Sequence, residues 1–167
     1  MSHSAKNDAG ITLRPHRSGD VGWVIKRHGE LYAESHGWDM RFEALVARIL
    51  ADFIDGFDPS HERMWIAEKD GERVGSILLA KESDGVAQLR TLLVEPSAQG
   101  LGVGRKLVSE CVGAARDLGY EKMVLLTSRG LDAARRLYQA HGFLLTREEK
   151  QQVWGVTHTA QWWELDL

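Results

Sequence analysis

The stretch Gln99-Gly100-Leu101-Gly102-Val103-Gly104 decides the fold of this chain. It follows the apolar run Leu92-Leu93-Val94 after four residues and directly precedes a segment whose apolar residues recur with helical spacing. Glycine lets the backbone come close to a ligand, and the first turn of a helix offers unpaired N–H groups and partial positive charge to an anion. The stretch therefore predicts a strand, a tight turn and a helix that together bind a phosphate or pyrophosphate.

Three kinds of glycine-rich phosphate loop, and an ordinary strand-to-helix turn, compete for this stretch. A nucleoside-triphosphatase loop requires Lys and then Ser or Thr after its last glycine, whereas Gly104 is followed by Arg105 and Lys106. A dinucleotide-binding loop places two residues between its second and third glycines and an acidic residue after the next strand. Here one residue separates those glycines, and the next strand-like run ends in Thr127-Ser128. Both of these loops are therefore disfavoured.

The third kind of loop has the pattern Gln/Arg-x-x-Gly-x-Gly/Ala after a strand. It resembles the coenzyme A pyrophosphate loop of the GCN5-related N-acetyltransferase (GNAT) family, and Gln99, Gly102 and Gly104 match it. A second motif, Ala134-Arg135-Arg136-Leu137-Tyr138-Gln139-Ala140-His141-Gly142-Phe143, follows after one more predicted helix and strand. The family carries Ala-x-x-x-Tyr-x-x-x-Gly-Phe there, with its tyrosine close to the transferred acyl group. Two motifs in the expected order favour this resemblance over an ordinary turn.

The rest of the chain predicts a single domain of this kind. Its 167 residues suit one domain, which we place at 11–167 after a flexible terminus at 1–10. The predicted class is α/β (α+β), the GNAT fold, with a mixed, mostly antiparallel central sheet of about seven strands and helices on both faces. We expect Asp20 to be the N-cap of the first helix. The predicted helices run through 20–35, 42–53, 107–118 and 132–141, and the strands through 11–13, 64–68, 74–80, 86–94, 123–126, 143–147 and 159–165, the last two joined by a polar loop.

The resemblance implies which residues bind acetyl-coenzyme A (acetyl-CoA), the expected co-substrate. Backbone N–H groups from Leu101 to Arg105 would bind the pyrophosphate, and the strand before the loop would offer its backbone to pantetheine. Tyr138 would act as general acid, donating a hydrogen bond or proton to the departing thiolate. The predicted cofactor-binding residues are Leu92, Leu93, Val94, Gln99, Gly100, Leu101, Gly102, Val103, Gly104, Arg105, Ala134 and Tyr138.

Two details qualify this cofactor site. We expect Gly102 and Gly104 to lie at a surface turn, where a bulky replacement abolishes coenzyme A binding and leaves the fold intact. The family commonly has asparagine near the start of its second motif, whereas this chain has Ser128 and Leu131. The resemblance therefore implies no side-chain contacts to pantetheine from that region.

The acceptor amine must lose a proton before it attacks, because its pKa is about 10.4. In this fold the first helix borders the acceptor site, and Glu30, Glu34 and His28 lie on it, while Arg90 on the fourth strand can point into the cleft. Each of these residues also suits a solvated surface position, and Glu30 is the predicted base or acceptor contact. His28 and His36 lie eight residues apart, which is not the spacing of a helical metal pair, so we expect no metal.

The predicted function is acetyl transfer from acetyl-CoA to a primary amine, or a peptide amine, by direct attack. The alternative is a non-catalytic domain that binds or senses acyl-CoA. Residues 19–57 also look like the acetyltransferase half of bacterial proteins that fuse a MarR-type DNA-binding domain to such an enzyme, and no stretch remains for a winged helix. The sequence leaves the acceptor open.

The amino-acid composition limits which binding partners and which cellular compartment we expect. The net charge is −3 and the basic residues are dispersed, which gives no reason to expect nucleic-acid or membrane binding. The single cysteine, Cys111, excludes an internal disulfide and suits a reducing, cytoplasmic compartment. We expect a monomer or homodimer. Trp38 is expected either to pack in the core or to form an aromatic wall for the acceptor.

Overall fold

The computed structural model describes residues 10–167, so the flexible terminus predicted at 1–10 lies outside the described residues except for Gly10. Seven strands and four helices of this part of the chain follow one another, with one short 3₁₀ turn at Pro96–Ala98. In chain order the elements are β1 (Ile11–Pro15), α1 (Asp20–His36), α2 (Met40–Asp55), β2 (Arg63–Lys69), β3 (Glu72–Ser83), β4 (Val86–Val94), α3 (Val103–Asp117), β5 (Lys122–Ser128), α4 (Asp132–Ala140), β6 (Leu144–Val153) and β7 (Val156–Asp166).

The strands form one sheet in the order β1-β2-β3-β4-β5-β7-β6. Among the described residues only β4 and β5 pair in parallel, and the other neighbours are antiparallel. Leu78 of β3 packs with α1 and α2, whereas Ile77 and Leu79 on either side of it pack with α3. Because successive side chains of a strand point to opposite faces, the helices cover both faces of the sheet. The predicted fold class is therefore confirmed.

The final hairpin is longer and tighter than predicted. We expected a polar loop between strands ending at Arg147 and beginning at Thr159, but β6 and β7 continue to a two-residue turn at Trp154-Gly155. The predicted polar loop is wrong, and the reason lies in the position of β6. This strand is at the edge of the sheet, and most of its residues are exposed. A strand exposed on both faces can carry charged and polar residues throughout, so it lacks the apolar alternation that marks a strand.

The first helix begins differently from the prediction. Gly19, in a left-handed conformation with φ 93°, occupies the N-cap position, and Asp20 is the first helical residue. The Asp20 carboxylate is fully buried and accepts hydrogen bonds from the Arg17 backbone N–H at 2.7 Å, from Arg14 Nη1 at 2.7 Å and from Arg73 Nε at 2.9 Å. Asp20 therefore joins α1 to β1 and β3 instead of capping its own helix through its side chain.

Strand β4 separates from its parallel neighbour halfway along. It pairs with β5 only from Val86 to Gln88, and it also contains a bulge, because Thr91 and Leu92 together face the single residue Ile77 of β3. Thr91 has a φ of 50°, which is uncommon for a β-branched residue. The bulge and the short pairing open a gap between β4 and β5 that faces α3 and α4.

Replacing Asp20 with asparagine is expected to lower the free energy of unfolding by about 2 to 4 kcal/mol, because it removes the carboxylate that two guanidinium groups share at a buried position. The ionised contacts hold the pKa of Asp20 at about 2, below its usual 3.8. The unfolded state therefore takes up this proton first as the pH falls, and the stabilisation is lost between about pH 4 and pH 2.

Urea denaturation at pH 7 measures this effect, with the exposed Asp52 of α2 providing the matched control variant Asp52→Asn. Equal unfolding free energies for the two variants would contradict the assigned role of Asp20.

Candidate active site

The open edge of β4 is the first part of the site. The Glu95 N–H donates to the Val74 carbonyl of β3 at 2.8 Å. Because backbone N–H groups alternate in direction along a strand, those of Val94 and Leu92 point away from β3 and into the gap. Within residues 10–167, no strand pairs with β4 on that side beyond Gln88. This edge can therefore accept an extended ligand as if it were a further strand.

The glycine-rich loop follows this edge after the short 3₁₀ turn at Pro96–Ala98. Gly100 and Gly102 have φ values of 80° and 82°, and Gly102 is the N-cap of α3 without a side-chain cap. The first helical bond from the loop joins the Lys106 N–H to the Gly102 carbonyl at 3.0 Å. The N–H groups of Val103, Gly104 and Arg105 precede that bond and have no carbonyl of their own helix to bind. The predicted anion site thus lies at the end of the open strand edge.

The prediction that Gly104 lies at a surface turn is wrong. It is buried in the first turn of α3, and a Cβ atom there would come within 2.6 Å of Leu137 Cδ1 on α4. Gly104 therefore lets α3 and α4 pack closely, and a bulky residue at this position would disturb that packing. Gly102, which is exposed, is the better position at which to test the loop.

A pocket of about 310 Å³ begins where the gap between β4 and β5 reaches α4. Leu92, Ser128, Leu131, Ala134 and Tyr138 line the side of the pocket nearer the loop, together with the bulge. Helices α1 and α2 and the β6–β7 hairpin line its far side. The pocket therefore joins the predicted pantetheine edge to a second compartment that is large enough for a small acceptor.

Tyr138 lies on α4, is 4% exposed and lines the pocket. Its ring makes an edge contact with Phe143 at 5.8 Å between centroids. Burial raises the pKa of Tyr138 well above its usual value of 10, and Tyr32 and Cys111 add to this effect. The phenol is therefore protonated at neutral pH, and it can act as a hydrogen-bond donor.

The far side of the pocket is an aromatic wall formed by Tyr32, Trp38, Phe42 and Trp154. Trp38 stacks on Tyr32 with centroids 4.9 Å apart and planes inclined by 10°. Trp154 lies 4.7 Å from Trp38 and 5.0 Å from Phe42. Trp154 occupies the hairpin turn with a φ of 52°, and its carbonyl accepts the Asp39 N–H at 3.0 Å. Contacts with α2 thus hold a bulky side chain in a backbone conformation that favours glycine.

Two histidines border the pocket and both are neutral at pH 7. His28 is buried and its Nδ1–H donates to the Val24 carbonyl at 2.8 Å, which leaves the Nε2 lone pair without a proton. Burial lowers the pKa of His28 to about 4 and also lowers the pKa of His158. His158 Nδ1 lies 2.9 Å from Ser128 Oγ, and its buried Nε2 has no hydrogen-bond partner among the described residues. Both rings can accept a proton or a hydrogen bond.

The predicted base Glu30 lies outside the lining of the pocket. Its carboxylate pairs with Arg27 at 2.9 Å, and Arg27 also forms two hydrogen bonds of 2.7 Å with Glu95 at the end of β4. Glu34 is an exposed residue of α1. The role of Glu30 as base or acceptor contact therefore stays a prediction, and the ion pairs give it a second explanation as a link between α1 and β4.

The structure brings most of the other predicted residues together. Leu92, Ala134 and Tyr138 meet His28, Arg90 and Trp38 around the pocket, and Leu93 is buried in the core. Sequence reasoning missed the residues that tertiary packing adds to the pocket. A recurrence of aromatic rings at positions 28, 32 and 36 was the available signal for α1, and the pair Trp154-Gly155 was a signal for a tight turn. The missed residues are Tyr32, Phe42, Thr91, Gln151, Trp154 and His158.

No group of three or more His, Cys, Asp or Glu residues in 10–167 is placed to hold a metal ion. No described helix is both long and apolar enough to cross a membrane.

Comparison with known proteins identifies the family. The profile of the Acetyltransferase (GNAT) family matches residues 21–143, so the chain belongs to this family, and the predicted membership of an acyltransferase family is confirmed. A mycothiol acetyltransferase of Thermomonospora curvata is 31% identical over 139 residues, which cover 80% of this chain but only 44% of that protein. An uncharacterized N-acetyltransferase of Schizosaccharomyces pombe is 32% identical over 117 residues, covering 69% of this chain and 71% of the relative.

Solved structures agree on the fold. A putative acetyltransferase of Salmonella typhimurium, determined with its cofactor acetyl-CoA, is 22% identical with a TM-score of 0.73 and covers 95% of this chain and 94% of its own. At this identity the likeness supports the fold alone. The mycothiol acetyltransferase is more than twice as long as the region that matches this chain, so its printed activity belongs to that longer protein.

Burial of His28 makes stability depend on pH. Between pH 6.5 and pH 4 the unfolded state binds a proton at this histidine and the folded state does not, so the free energy of unfolding falls as the pH falls. The pKa difference predicts a loss of about 2 kcal/mol between pH 7 and pH 4.5 from this group. The variant His28→Gln is expected to lack this part of the loss.

Urea denaturation at the two pH values measures the loss. His61→Gln is the matched control, because His61 is 41% exposed and lies outside the pocket. An unchanged pH dependence in His28→Gln would contradict a neutral, buried His28.

Proposed function

We propose that the protein transfers an acetyl group from acetyl-CoA to a primary amine by direct attack, without a covalent enzyme intermediate. One observation carries this proposal: the unpaired edge of β4 leads, through a short 3₁₀ turn, to the uncapped start of α3, and the buried Tyr138 lines the same pocket as Leu92 of that edge. This arrangement suits a ligand with an extended amide chain between an anionic group and a reactive group. Acetyl-CoA has this chemistry.

Each part of the cofactor has a matching surface. The pantetheine amides can pair with the backbone of Leu92 and Val94, as an added strand does. The pyrophosphate can bind the N–H groups at the start of α3, where the helix dipole also favours negative charge. The acetyl thioester then lies at the β4 bulge, next to Tyr138 and the pocket. The Salmonella protein of the same fold, which was determined with acetyl-CoA, supports this choice of co-substrate.

The chemistry requires the thiolate to leave as the amine attacks. The amine nitrogen forms a bond with the carbonyl carbon, the C–S bond breaks, and sulfur takes the electron pair. A thiol with a pKa of about 8.5 leaves more readily when a donor stabilises its anion. Since the raised pKa keeps Tyr138 protonated, we assign it as that donor. The same shift means that loss of the Tyr138 proton produces no high-pH limb in the accessible range.

The attacking nitrogen must also lose a proton. At pH 7 only about one alkyl amine in a thousand is neutral. His158 lines the pocket, is neutral at this pH and has a buried Nε2 without a partner among the described residues, whereas burial lowers the pKa of His28 to about 4 and makes it a weak base. His158 is therefore better placed for this step than Glu30, which lies outside the pocket lining and pairs with Arg27. We infer that proton removal passes through an imidazole or through water bound to one.

Location, assembly and the narrower resemblance remain part of the proposal. A cytoplasmic, reducing location is supported by the lone Cys111, which is fully buried. A monomer or homodimer is the expected assembly. The likeness of 19–57 to the enzyme half of MarR fusion proteins rests on sequence motifs, and we carry over from it the acetyltransferase activity but no binding to DNA.

The variant Tyr138→Phe is expected to lower the turnover number by roughly tenfold to a thousandfold, because the thiolate loses its hydrogen-bond donor. The affinity for acetyl-CoA changes little, since the hydroxyl serves the leaving group. Release of free thiol with a panel of amines measures turnover, and calorimetry measures affinity. Tyr120→Phe is the matched control, because the Tyr120 hydroxyl donates to the His61 carbonyl away from the pocket. If Tyr138→Phe keeps the turnover number of the native protein, Tyr138 only packs in the fold and is not the donor. If no amine in the panel gives turnover, the alternative of a non-catalytic domain that binds acyl-CoA is favoured.

The variant Gly102→Ala is expected to weaken acetyl-CoA binding at least about tenfold, because a side chain at this φ strains the N-cap and crowds the anion site. Gly119→Ala is the matched control, because Gly119 follows the other end of α3, has a φ of 89°, and has open space where a Cβ atom would lie. Both variants carry similar backbone strain, so their difference isolates the loop. Calorimetry that gives equal affinities for the two variants would place the pyrophosphate elsewhere.

A further inference from the structure

Among the described residues, the acceptor side of the pocket contains one cation that forms no hydrogen bond or ion pair. This cation is Arg90, which precedes the bulge of β4 at Thr91 and Leu92 and therefore lies farther from the glycine-rich loop than Leu92 does. Its side chain lines the pocket, and within residues 10–167 the guanidinium forms no hydrogen bond or ion pair. Burial lowers the pKa of Arg90, and the charge of Glu82 opposes this effect. A half-buried guanidinium of this kind favours an anionic ligand.

No carboxylate lines the pocket beside this charge, because its lining residues include neither aspartate nor glutamate, and Glu82, whose charge acts on Arg90, lies outside that lining. An acceptor with several ammonium groups would therefore meet a guanidinium and no counter-charge. A carboxylate, in contrast, can accept two parallel hydrogen bonds from a guanidinium. The charge of the pocket therefore disfavours polyamines and aminoglycosides and favours an amine that also carries an acid group.

The rest of the compartment is apolar. The wall of Tyr32, Trp38, Phe42 and Trp154 faces it, and Leu45 and Ile49 of α2 extend the apolar surface. Aromatic faces of this size bind a ring or a branched aliphatic group far better than they bind a polar chain. Since the thioester end of the cofactor also occupies part of the 310 Å³, the remaining space suits a single side chain and not a long peptide.

Two further polar atoms belong to residues that line the pocket. Thr91 Oγ1 and His158 Nε2 are buried and have no hydrogen-bond partner among the described residues, and both residues line the pocket. A buried polar atom without a partner costs about 1 to 3 kcal/mol, so such atoms suit a ligand that satisfies them. An amino group and a carboxylate on one carbon atom can supply a donor to the imidazole and an acceptor to the hydroxyl.

We propose that the acceptor is a free α-amino acid with an aromatic or large aliphatic side chain, whose carboxylate binds Arg90 and whose side chain lies against the aromatic wall. This inference rests on the proposed acetyl transfer. In the step, the α-amino nitrogen forms the amide bond and releases its proton, the C–S bond breaks, and the sulfur becomes the thiol of coenzyme A after protonation. The products are an N-acetyl amino acid and coenzyme A.

The test compares two products that differ only in the carboxylate, N-acetyl-L-phenylalanine and N-acetylphenethylamine. Their affinities are measured by calorimetry in the presence of coenzyme A, so the result does not depend on turnover. The native protein is expected to bind the acid roughly tenfold to a hundredfold more tightly, as a charge-assisted contact predicts. In Arg90→Gln this preference is expected to fall to near unity, and Arg90→Lys is expected to retain part of it.

Arg116→Gln is the matched control, because Arg116 is exposed in the last turn of α3, and it is expected to keep the native preference. Thermal unfolding verifies that each variant is folded. Equal binding of the two products by the native protein, or an equal loss of both in Arg90→Gln, would overturn the inference.

A second arm measures thiol release from acetyl-CoA with phenylalanine, phenethylamine and spermidine. A preference for phenylalanine that Arg90→Gln removes supports the inference, and a preference for spermidine overturns it. If no amine releases thiol while the acid still binds selectively, the proposed acetyl transfer fails and the assigned ligand class stands.

Discussion

The rest of the site depends on one constraint, which is that β4 has a partner strand on only one side beyond Gln88. Backbone N–H and C=O groups inside a protein are almost always paired, so an unpaired strand edge beneath two helices is costly unless a ligand completes it. The edge at Leu92 and Val94 is followed by the 3₁₀ turn at Pro96–Ala98 and then by the uncapped start of α3. The position and direction proposed for the cofactor rest on these two groups of unpaired backbone atoms.

Close packing of α3 and α4 maintains the width of the gap between β4 and β5. A Cβ atom at Gly75 of β3 would come within 2.9 Å of Val103 Cγ1, and one at Gly104 would come within 2.6 Å of Leu137 Cδ1. The absence of side chains at these two positions lets α3 lie close to the sheet and α4 lie close to α3. On the other face, the paired hydrogen bonds of Arg27 with Glu95 attach α1 to the end of β4. These bonds thus attach α1, which carries Tyr32 of the aromatic wall, to the strand whose open edge is proposed to bind the cofactor.

The sequence predicted what local patterns encode. The glycine loop, the Tyr138 motif and the amphipathic helices depend on residues that are close in the chain, and the resemblance of the two motifs to those of the GNAT family implied the fold and the expected cofactor edge. The aromatic wall could not be predicted in this way, because Trp38 and Trp154 meet only after the whole sheet has formed. Burial of Asp20 with Arg73 likewise joins residues that are distant in the chain. Gly104 was placed at the surface because the motif specifies a glycine without showing which neighbour requires it.

The most direct test of the account is the exchange of backbone amide protons at Leu92 and Val94, measured by NMR with and without saturating acetyl-CoA. If pantetheine pairs with the open edge, exchange at both amides slows at least about tenfold in the complex, because the bound chain replaces water as the acceptor. The Glu95 amide is an internal reference, because it already donates to Val74 of β3. Tight binding of acetyl-CoA with unchanged exchange at Leu92 and Val94 would contradict the central claim that the open edge of β4 binds the cofactor.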